Sequence, residues 1–299
     1  MRKLIGLVLK LVFVLLLVAA AGVAYAWWKT DKAIAQRIEL PEAGIVVDGS
    51  AEQVERGRHL ATSRGCTDCH GADLAGHVMI DAQPMGRLVA SNLTPGGVGR
   101  HYDAITFEHA IRHAVAFDGT PLVVMPAQDY IGLSDDDVAA LAAYLQSLPA
   151  VTKRQPETAL GALPRVLFTL GKMPLLPALV VDHAKTGPAQ APAEAATAEF
   201  GAYVARTCVG CHGEGLSGGR VPGTPPSFPP ARNITPDATG LAKWTEADFV
   251  RAMREGKRPD GSEIDPFMPW KSFAQMRDTE LSALWAYLQT VPAKPAGGR

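Results

Sequence analysis

The chain has 299 residues, of which 47% are hydrophobic and 20% are charged. This length allows two compact domains, and this composition excludes a disordered chain. The formal net charge of -1 at pH 7 shows no basic excess, so we expect no nucleic acid partner.

Residues 1–28 predict a membrane anchor. Arg2 and Lys3 precede an apolar stretch from Leu4 to Trp28 that only Lys10 interrupts. About 20 apolar residues span a bilayer, whereas the core of a cleavable signal peptide has about 7 to 15, so the pattern favours a retained single-pass helix. The sequence Ala24-Tyr25-Ala26 keeps cleavage open as the alternative. The positive start is expected to stay in the cytoplasm, with everything after Trp28 on the periplasmic side of the inner membrane.

After a predicted juxtamembrane linker at 29–49, the chain is a duplication. Cys66 and Cys208 are 142 positions apart, and offsets of 141 to 143 relate a series of further features. We define repeat 1 as residues 50–150 and repeat 2 as residues 196–294. The matched features are Asn92-Leu93-Thr94-Pro95 with Asn233-Ile234-Thr235-Pro236, Asp118-Gly119 with Asp260-Gly261, Met125-Pro126 with Met268-Pro269, and Ala143-Tyr144-Leu145-Gln146 with Ala286-Tyr287-Leu288-Gln289.

Each repeat predicts three helices and no strands, which gives an all-α fold class. In repeat 1 we expect helices at 54–63 and 107–115 and a closing helix that Ser134 and Asp137 cap. In repeat 2 we expect helices at 197–207 and 246–255 and a closing helix that Asp278 caps. A domain this small has too little apolar surface to fold well without a bound group.

The connection at 151–195 is rich in proline and alanine, and its apolar stretch from 163 to 181 does not predict a second membrane span. Pro164, Pro174 and Pro177 would break the helix, and Arg165 and Lys172 would bury charge. We expect an ordered strap that packs on a domain. The alternative is a surface segment that rests on the membrane beside the anchor.

The four cysteines fall in two identical motifs, Cys66-Thr67-Asp68-Cys69-His70 and Cys208-Val209-Gly210-Cys211-His212. Two thiols three positions apart can add to the vinyl groups of a haem, and the adjacent imidazole then binds the iron. Zinc would need four ligands, and a redox dithiol would need no histidine in either copy. The motifs therefore predict two covalently bound haem c groups.

A sixth iron ligand is expected at the same place in both repeats, and methionine before proline recurs there. Met125 and Met268 lie 55 and 56 residues after His70 and His212. Proline disfavours helix in the residue before it, so each methionine is predicted to lie on an extended loop with its thioether free to reach the iron. Core packing is the alternative role, and Met79 and Met85 remain substitute ligands for the first haem.

Two other pairs of residues are candidates for metal binding or for packing at a haem edge. His109 and His113 have metal-ligand spacing on a helix, but repeat 2 lacks them, so a solvated helix face is expected. Tyr102 and its counterpart Trp244 are expected in the core, with packing at a haem edge as the alternative.

Together, the motifs, the Asn-x-Thr-Pro and Met-Pro sequences and the closing Ala-Tyr-Leu helix resemble class I cytochromes c. More closely, the chain resembles membrane-bound dihaem cytochromes and the cytochrome subunits of periplasmic dehydrogenases. It differs from the dehydrogenase subunits that carry three Cys-x-x-Cys-His motifs, because it has two. The resemblance implies that Asn92, Thr94, Asn233 and Thr235 fix the loops around the haem, and ordinary turn formation is their alternative role.

Histidine and methionine together fill both axial positions of a haem iron, which favours an electron carrier over an enzyme. The expected partners are haem, the membrane and redox proteins such as a dehydrogenase, a cytochrome or an oxidase. The rival function is a haem enzyme, such as a dihaem peroxidase or a thiosulfate dehydrogenase, with one open iron.

Overall fold

The computed structural model describes residues 1–41, 44–224 and 227–299. It begins with helix α1 (Arg2–Ile34), which continues past Trp28 into the segment predicted as a linker. By length and composition α1 can cross a membrane, and none of its most apolar stretch is buried against the rest of the protein. A signal sequence near an N-terminus can have the same length and apolar composition.

Repeat 1 is organised by the packing of its first helix on its closing helix. A Cβ atom at Gly57 would overlap the carbonyl group of Ala140, so only glycine allows the two helices to approach this closely. The predicted cap is present, since the Ser134 side chain accepts a hydrogen bond from the backbone N–H of Asp137. The helices of repeat 1 are α2 (Ala51–Ser63), α3 (Cys66–His70), α4 (Ala104–His113), α5 (Ala127–Tyr130) and α6 (Asp135–Ser147).

A small antiparallel sheet departs from the all-α prediction. Strands β1 (His77–Ala82) and β2 (Gly86–Ala90) form a hairpin in repeat 1, and β3 (Ala159–Leu160) adds to β2 from the connection. The hairpin alternates buried and half-buried residues along β2 only, while β1 is largely exposed. The sequence of β2, Gly86-Arg87-Leu88-Val89-Ala90, has no strict alternation of apolar and polar residues, so the period-two pattern that predicts a strand is absent there.

The connection is an ordered strap, as predicted. It contains helix α7 (Ala162–Thr169) and a 3₁₀ turn (Pro177–Leu179). Leu175 and Leu176 are almost fully buried, and the Leu175 carbonyl accepts a hydrogen bond from the backbone N–H of Val124 at 2.9 Å. The strap therefore binds repeat 1 next to Met125.

Repeat 2 reproduces the helical arrangement of repeat 1. Gly201 lies against the Ala283 carbonyl as Gly57 lies against Ala140. The closing helix starts at Asp278, so this residue is the first in the helix and the predicted cap is displaced by one position to Arg277. The helices of repeat 2 are α8 (Ala198–Val204), α9 (Arg206–His212), α10 (Glu246–Glu255), α11 (Trp270–Phe273) and α12 (Asp278–Leu288).

The two repeats are joined through an acidic residue in the first turn of each closing helix. Asp137 accepts a hydrogen bond from the Tyr203 hydroxyl of repeat 2 at 2.5 Å. Glu280 lies 2.7 Å from His59 Nε2 and 3.3 Å from Arg64 Nη2, both in repeat 1. Because Arg64 and Glu280 are 2% and 3% exposed, this ion pair is part of a buried interface.

The prediction that His109 and His113 lie on a solvated face of α4 is wrong. Glu108, Arg112 and His113 are each 2% exposed. His113 Nδ1 lies 3.0 Å from the Nδ1 atom of His183 in the strap, and the Arg112 guanidinium binds Glu108 at 3.2 Å. The strap covers this face, which explains why repeat 2, whose α10 has no such cover, carries Arg251 and Glu255 there.

Candidate haem-binding sites

Each Cys-x-x-Cys-His motif lies on a short helix that glycine ends. Gly71 and Gly213 follow the two histidines with φ of +82° and +80°, a left-handed backbone that glycine adopts without strain. All four cysteines are free thiols. The sequence therefore holds two unpaired thiols and an imidazole within one or two helical turns in each repeat.

Both histidines are oriented by the same kind of hydrogen bond. His70 Nδ1 lies 2.8 Å from the carbonyl oxygen of Ser91, and His212 Nδ1 lies 2.7 Å from that of Arg232. A carbonyl can only accept, so Nδ1 carries the proton and Nε2 keeps the lone pair that binds a metal. Burial lowers the pKa of both imidazoles, which favours their neutral form.

The residue that follows each of these carbonyls fixes its position. Asn92 Oδ1 accepts hydrogen bonds from the backbone N–H and the hydroxyl of Thr94, and Asn92 Nδ2 donates to the Val151 carbonyl at 2.7 Å. Asn233 binds Thr235 in the same way and donates to the Lys294 carbonyl at 2.7 Å. These Asx turns tie the loop behind each histidine to the segment that follows the closing helix.

The two methionines lie in loops of similar construction. Each Met-Pro pair leads into a one-turn helix, α5 after Met125 and α11 after Met268. The carbonyl of each methionine accepts a backbone hydrogen bond from the second residue after it, at 2.8 Å from Ala127 and 2.7 Å from Trp270. Both side chains pack, half-buried, against the hydrophobic core that also contacts Cys66 and Cys208.

The two substitute ligands lie elsewhere in repeat 1. Met79 is on the exposed strand β1 with 36% of its surface accessible. Met85 is in the hairpin turn, where its carbonyl accepts a hydrogen bond from Gly161 of the strap. Tyr102 stacks on Phe107 with a 4.9 Å separation of ring centroids, in agreement with the predicted core role.

The motif helix of each repeat packs against the methionine loop of the other. The Ser272 hydroxyl of α11 donates to Asp68 of the first motif at 2.7 Å. At the equivalent place in the second motif, Gly210 lies against Asp129 of α5, where a Cβ atom would overlap the carboxylate. Burial raises the pKa of both acids, that of Asp129 to about 7. No pattern in the sequence indicated this reciprocal contact.

The donor set fits haem c in both repeats: two free thiols at the required spacing, a neutral imidazole with Nε2 available, and a thioether loop against the same core. Two small helical domains with this donor set define a haem-binding protein of the cytochrome type. In agreement, the family model described as "Cytochrome c" matches residues 54–149 and 200–292. The chain belongs to the cytochrome c family.

Three curated relatives illustrate the range of similar proteins. The "Alcohol dehydrogenase (quinone), cytochrome c subunit" of Gluconacetobacter polyoxogenes is 43% identical over 112 residues, which cover 35% of this chain and 24% of that protein. The "Fructose dehydrogenase cytochrome subunit" of Gluconobacter japonicus is 27% identical over 281 residues, 82% of this chain and 54% of that protein. The "Diheme cytochrome c-type" protein of Cereibacter sphaeroides is 38% identical over 61 residues, 20% of this chain and 21% of that protein. The chain thus matches from about a fifth to about half of the length of these relatives.

Proposed function

We propose that the chain is a dihaem electron carrier, anchored in the inner membrane with both haem domains in the periplasm. Cys66 and Cys69 bind the first haem covalently, with His70 and Met125 as axial ligands. In repeat 2 the corresponding residues are Cys208, Cys211, His212 and Met268. Haem supplies the one-electron couple, and a thioether ligand opposite an imidazole raises its potential.

The observation that carries the proposal is the reciprocal packing of each motif helix on the methionine loop of the other repeat. Because the thiols that would hold each haem lie on these motif helices, the contact between the repeats would bring the two haems close together. Haem bound at both motifs would let one chain accept an electron at one repeat and pass it to the other. The chain itself orients both imidazoles through the carbonyl groups of Ser91 and Arg232.

The relatives support a role next to a dehydrogenase, because several bear the name of a dehydrogenase cytochrome subunit. We propose that electrons arrive from such a dehydrogenase or from a quinol-linked donor and leave to a terminal acceptor.

Retention of the anchor is supported by the course of α1 through the possible cleavage sequence. Ala26 and Thr30 are 1% and 0% exposed, and this part of α1 packs on α7. Cleavage after Ala26 would remove a buried residue and interrupt a helix that the fold uses. Intact mass spectrometry of protein from a membrane fraction tests this, with the mass of the full chain plus two haems as the expected result.

The electron-carrier proposal is tested by redox titration of the full chain, produced in a host that matures cytochromes c. We expect two haems per chain, low-spin spectra in both oxidation states, and no binding of hydrogen peroxide by either ferric haem. Rapid peroxide binding and turnover by the unmodified protein would instead identify the haem enzyme.

A further inference from the structure

Helix α7 of the strap lies directly beside the anchor helix. Arg165 Nη1 binds the Asp31 carboxylate at 2.6 Å, and the Arg165 guanidinium lies 5.1 Å from the ring centroid of Trp27. The Lys29 ammonium group donates to the Thr169 carbonyl at 3.2 Å. A salt bridge, a cation–π contact and a charged hydrogen bond therefore hold α7 against one turn of α1.

The height of this contact follows from helix geometry. The apolar segment of α1 ends at Trp28, and at 1.5 Å per residue Thr30 lies only about 3 Å beyond it. The headgroup region on each side of a bilayer is about 5 to 7 Å thick. With α1 in the membrane, α7 lies at the level of the headgroups and not in the bulk periplasm.

The opposite face of α7 is apolar; Leu163 and Leu170 at its two ends are exposed, and Val166 and Leu167 between them are half-buried. Four residues with the i, i+3, i+4, i+7 spacing of one helical face form it, whereas Arg165 and Thr169 face α1. Leu170 and Leu163 keep 63% and 37% of their surface accessible. This α7 stripe consists of Leu163, Val166, Leu167 and Leu170.

Two basic side chains lie near the contact between α7 and α1. Lys172 is exposed two residues after Leu170, and the Lys32 ammonium group lies 5.3 Å from the ring centroid of Trp28. Apolar residues that face outward, with lysines beside them, match the surface of a bilayer that contains anionic phospholipids.

We propose that the α7 stripe inserts into the outer surface of the bilayer that α1 crosses, as a second membrane contact. The inference rests on the retained anchor of the proposed function. Because the strap is bound to repeat 1 through Leu175, this contact would fix the orientation of the first haem domain above the membrane. The protein would thus be a docked electron carrier, with no freely swinging tether.

The experiment uses the introduced thiol of Leu170→Cys, since the native cysteines are consumed by haem attachment. The full chain is labelled with a small bimane fluorophore and placed in nanodiscs of phosphatidylcholine and phosphatidylglycerol, either plain or with brominated acyl chains. The ratio of the two intensities cancels quenching by haem within the protein. Thr290→Cys, exposed at the end of α12, is the matched control, and Leu163→Cys is a second test of the stripe.

We expect a several-fold loss of intensity with brominated lipid for labels at Leu170 and Leu163, and no loss for the label at Thr290. Equal intensities at Leu170, in protein whose intact mass includes residues 1–26, would overturn the membrane contact and leave the anchor in place. If the label is covered only after another protein is added, the occupant is a protein and the inference also fails. A mass without residues 1–26 contradicts the anchor and the inference together.

Discussion

The methionine loops of the two repeats both contain a Met-Pro pair that leads into a one-turn helix, but their surroundings differ. In repeat 1 the strap covers the loop, with Leu175 and Leu176 at 0% and 1% exposure and a hydrogen bond from Val124 to Leu175. In repeat 2 the residues before Met268 are exposed, with Phe267 at 37%, and the Met268 N–H binds only within its own loop, at the Asp265 carbonyl. The two repeats therefore have similar methionine loops, and the connection between the repeats gives these loops different surroundings.

This difference predicts a firmly held Met125 and a more easily displaced Met268. From the sequence alone Met125 was the less certain ligand, since Met79 and Met85 lie in the same repeat. The contacts of the strap reverse that order. The Met268 loop also has tertiary contacts, through Ser272 and Phe267, but the Met125 loop must break its contacts with the strap in addition and therefore opens less often.

The largest expected effect comes from removal of each thioether. Met268→Ala and Met125→Ala should each lower the potential of one haem by roughly 0.2 V, since axial ligands alone tune haem potentials over about 0.8 V. Each variant should also bind azide at the opened iron. Spectroelectrochemical titration measures both potentials in one sample.

Met79→Ala is the control for these variants, since Met79 lies on the exposed face of β1. It should leave both potentials unchanged. A fall in one potential for Met79→Ala, with none for Met125→Ala, would show that the first haem uses a different methionine.

The second prediction concerns the strap itself. Leu176→Ala should cost about 2 to 5 kcal/mol of stability, as for other buried leucines, and should loosen the loop that holds Met125. In the unmodified protein we expect azide to bind ferric haem faster in repeat 2 than in repeat 1. In Leu176→Ala the two rates should approach each other.

Stopped-flow mixing with azide measures these rates, and the two methionine variants assign each phase to a haem. Leu179→Ala removes an exposed strap side chain, 38% accessible, and should leave the rates as they are. If the faster phase of the unmodified protein belongs to repeat 1, the strap does not protect its ligand.

The sequence predicted those parts of the molecule that short segments determine. The Cys-x-x-Cys-His motifs, the Met-Pro pairs and the Ser134 cap are local, and the repeat is visible because every local feature recurs. Proline and charge within the connection were sufficient to exclude a second membrane span there. The helical and family assignments of the chain follow from these signals.

Contacts between distant segments were not predictable, because sequence periodicity depends only on local structure. Val124 and Leu175 are 51 positions apart, and Asp68 and Ser272 are 204 apart. The wrong prediction for α4 has the same origin. Its charged residues were expected in solvent, since a sequence pattern does not reveal that His183 and the strap cover them.

The third prediction concerns the pH dependence of the contact that Glu280 makes between the two repeats. Burial raises the pKa of this carboxyl, but the His59 hydrogen bond and the Arg64 charge outweigh that effect and hold the pKa at about 2. A carboxyl with a lowered pKa stabilises the fold fully above its unfolded value of about 4.5, and this stabilisation is lost as the pH falls towards 2. The shift corresponds to about 3 kcal/mol.

We therefore expect unfolding or separation of the repeats between about pH 4.5 and 2. The change in Soret circular dichroism measures this transition. Glu280→Gln should remove much of the acid dependence and be less stable than the unmodified protein at pH 7. Asp137→Asn is the matched variant in repeat 1, where Tyr203 is the contact with repeat 2. Equal acid sensitivity of Glu280→Gln and the unmodified protein would exclude Glu280 as its source.

The smallest effect is expected on the histidine side of each haem, where the repeats are alike. Asn92 and Asn233 are both 4% exposed and make matching hydrogen bonds to a threonine and to the chain after the closing helix. Replacement of either by alanine should cost about 1 to 3 kcal/mol, because buried partners lose their hydrogen bonds. The carbonyl before each asparagine should then hold its histidine less firmly, which lowers imidazole basicity and raises the potential of that haem alone.

Thermal unfolding and redox titration of Asn92→Ala and Asn233→Ala measure these changes. Asn92→Asp and Asn233→Asp keep the shape of the side chain but replace the amide donor with a carboxylate oxygen that faces a carbonyl, so they should be no more stable than the alanine variants, which a role in packing alone would not explain. Because the strap touches the methionine side of repeat 1, the two alanine variants should change their own haem by similar amounts. A much larger shift in one repeat would mean that the inequality of the two haems extends to the histidine side, and that the strap is not its only cause.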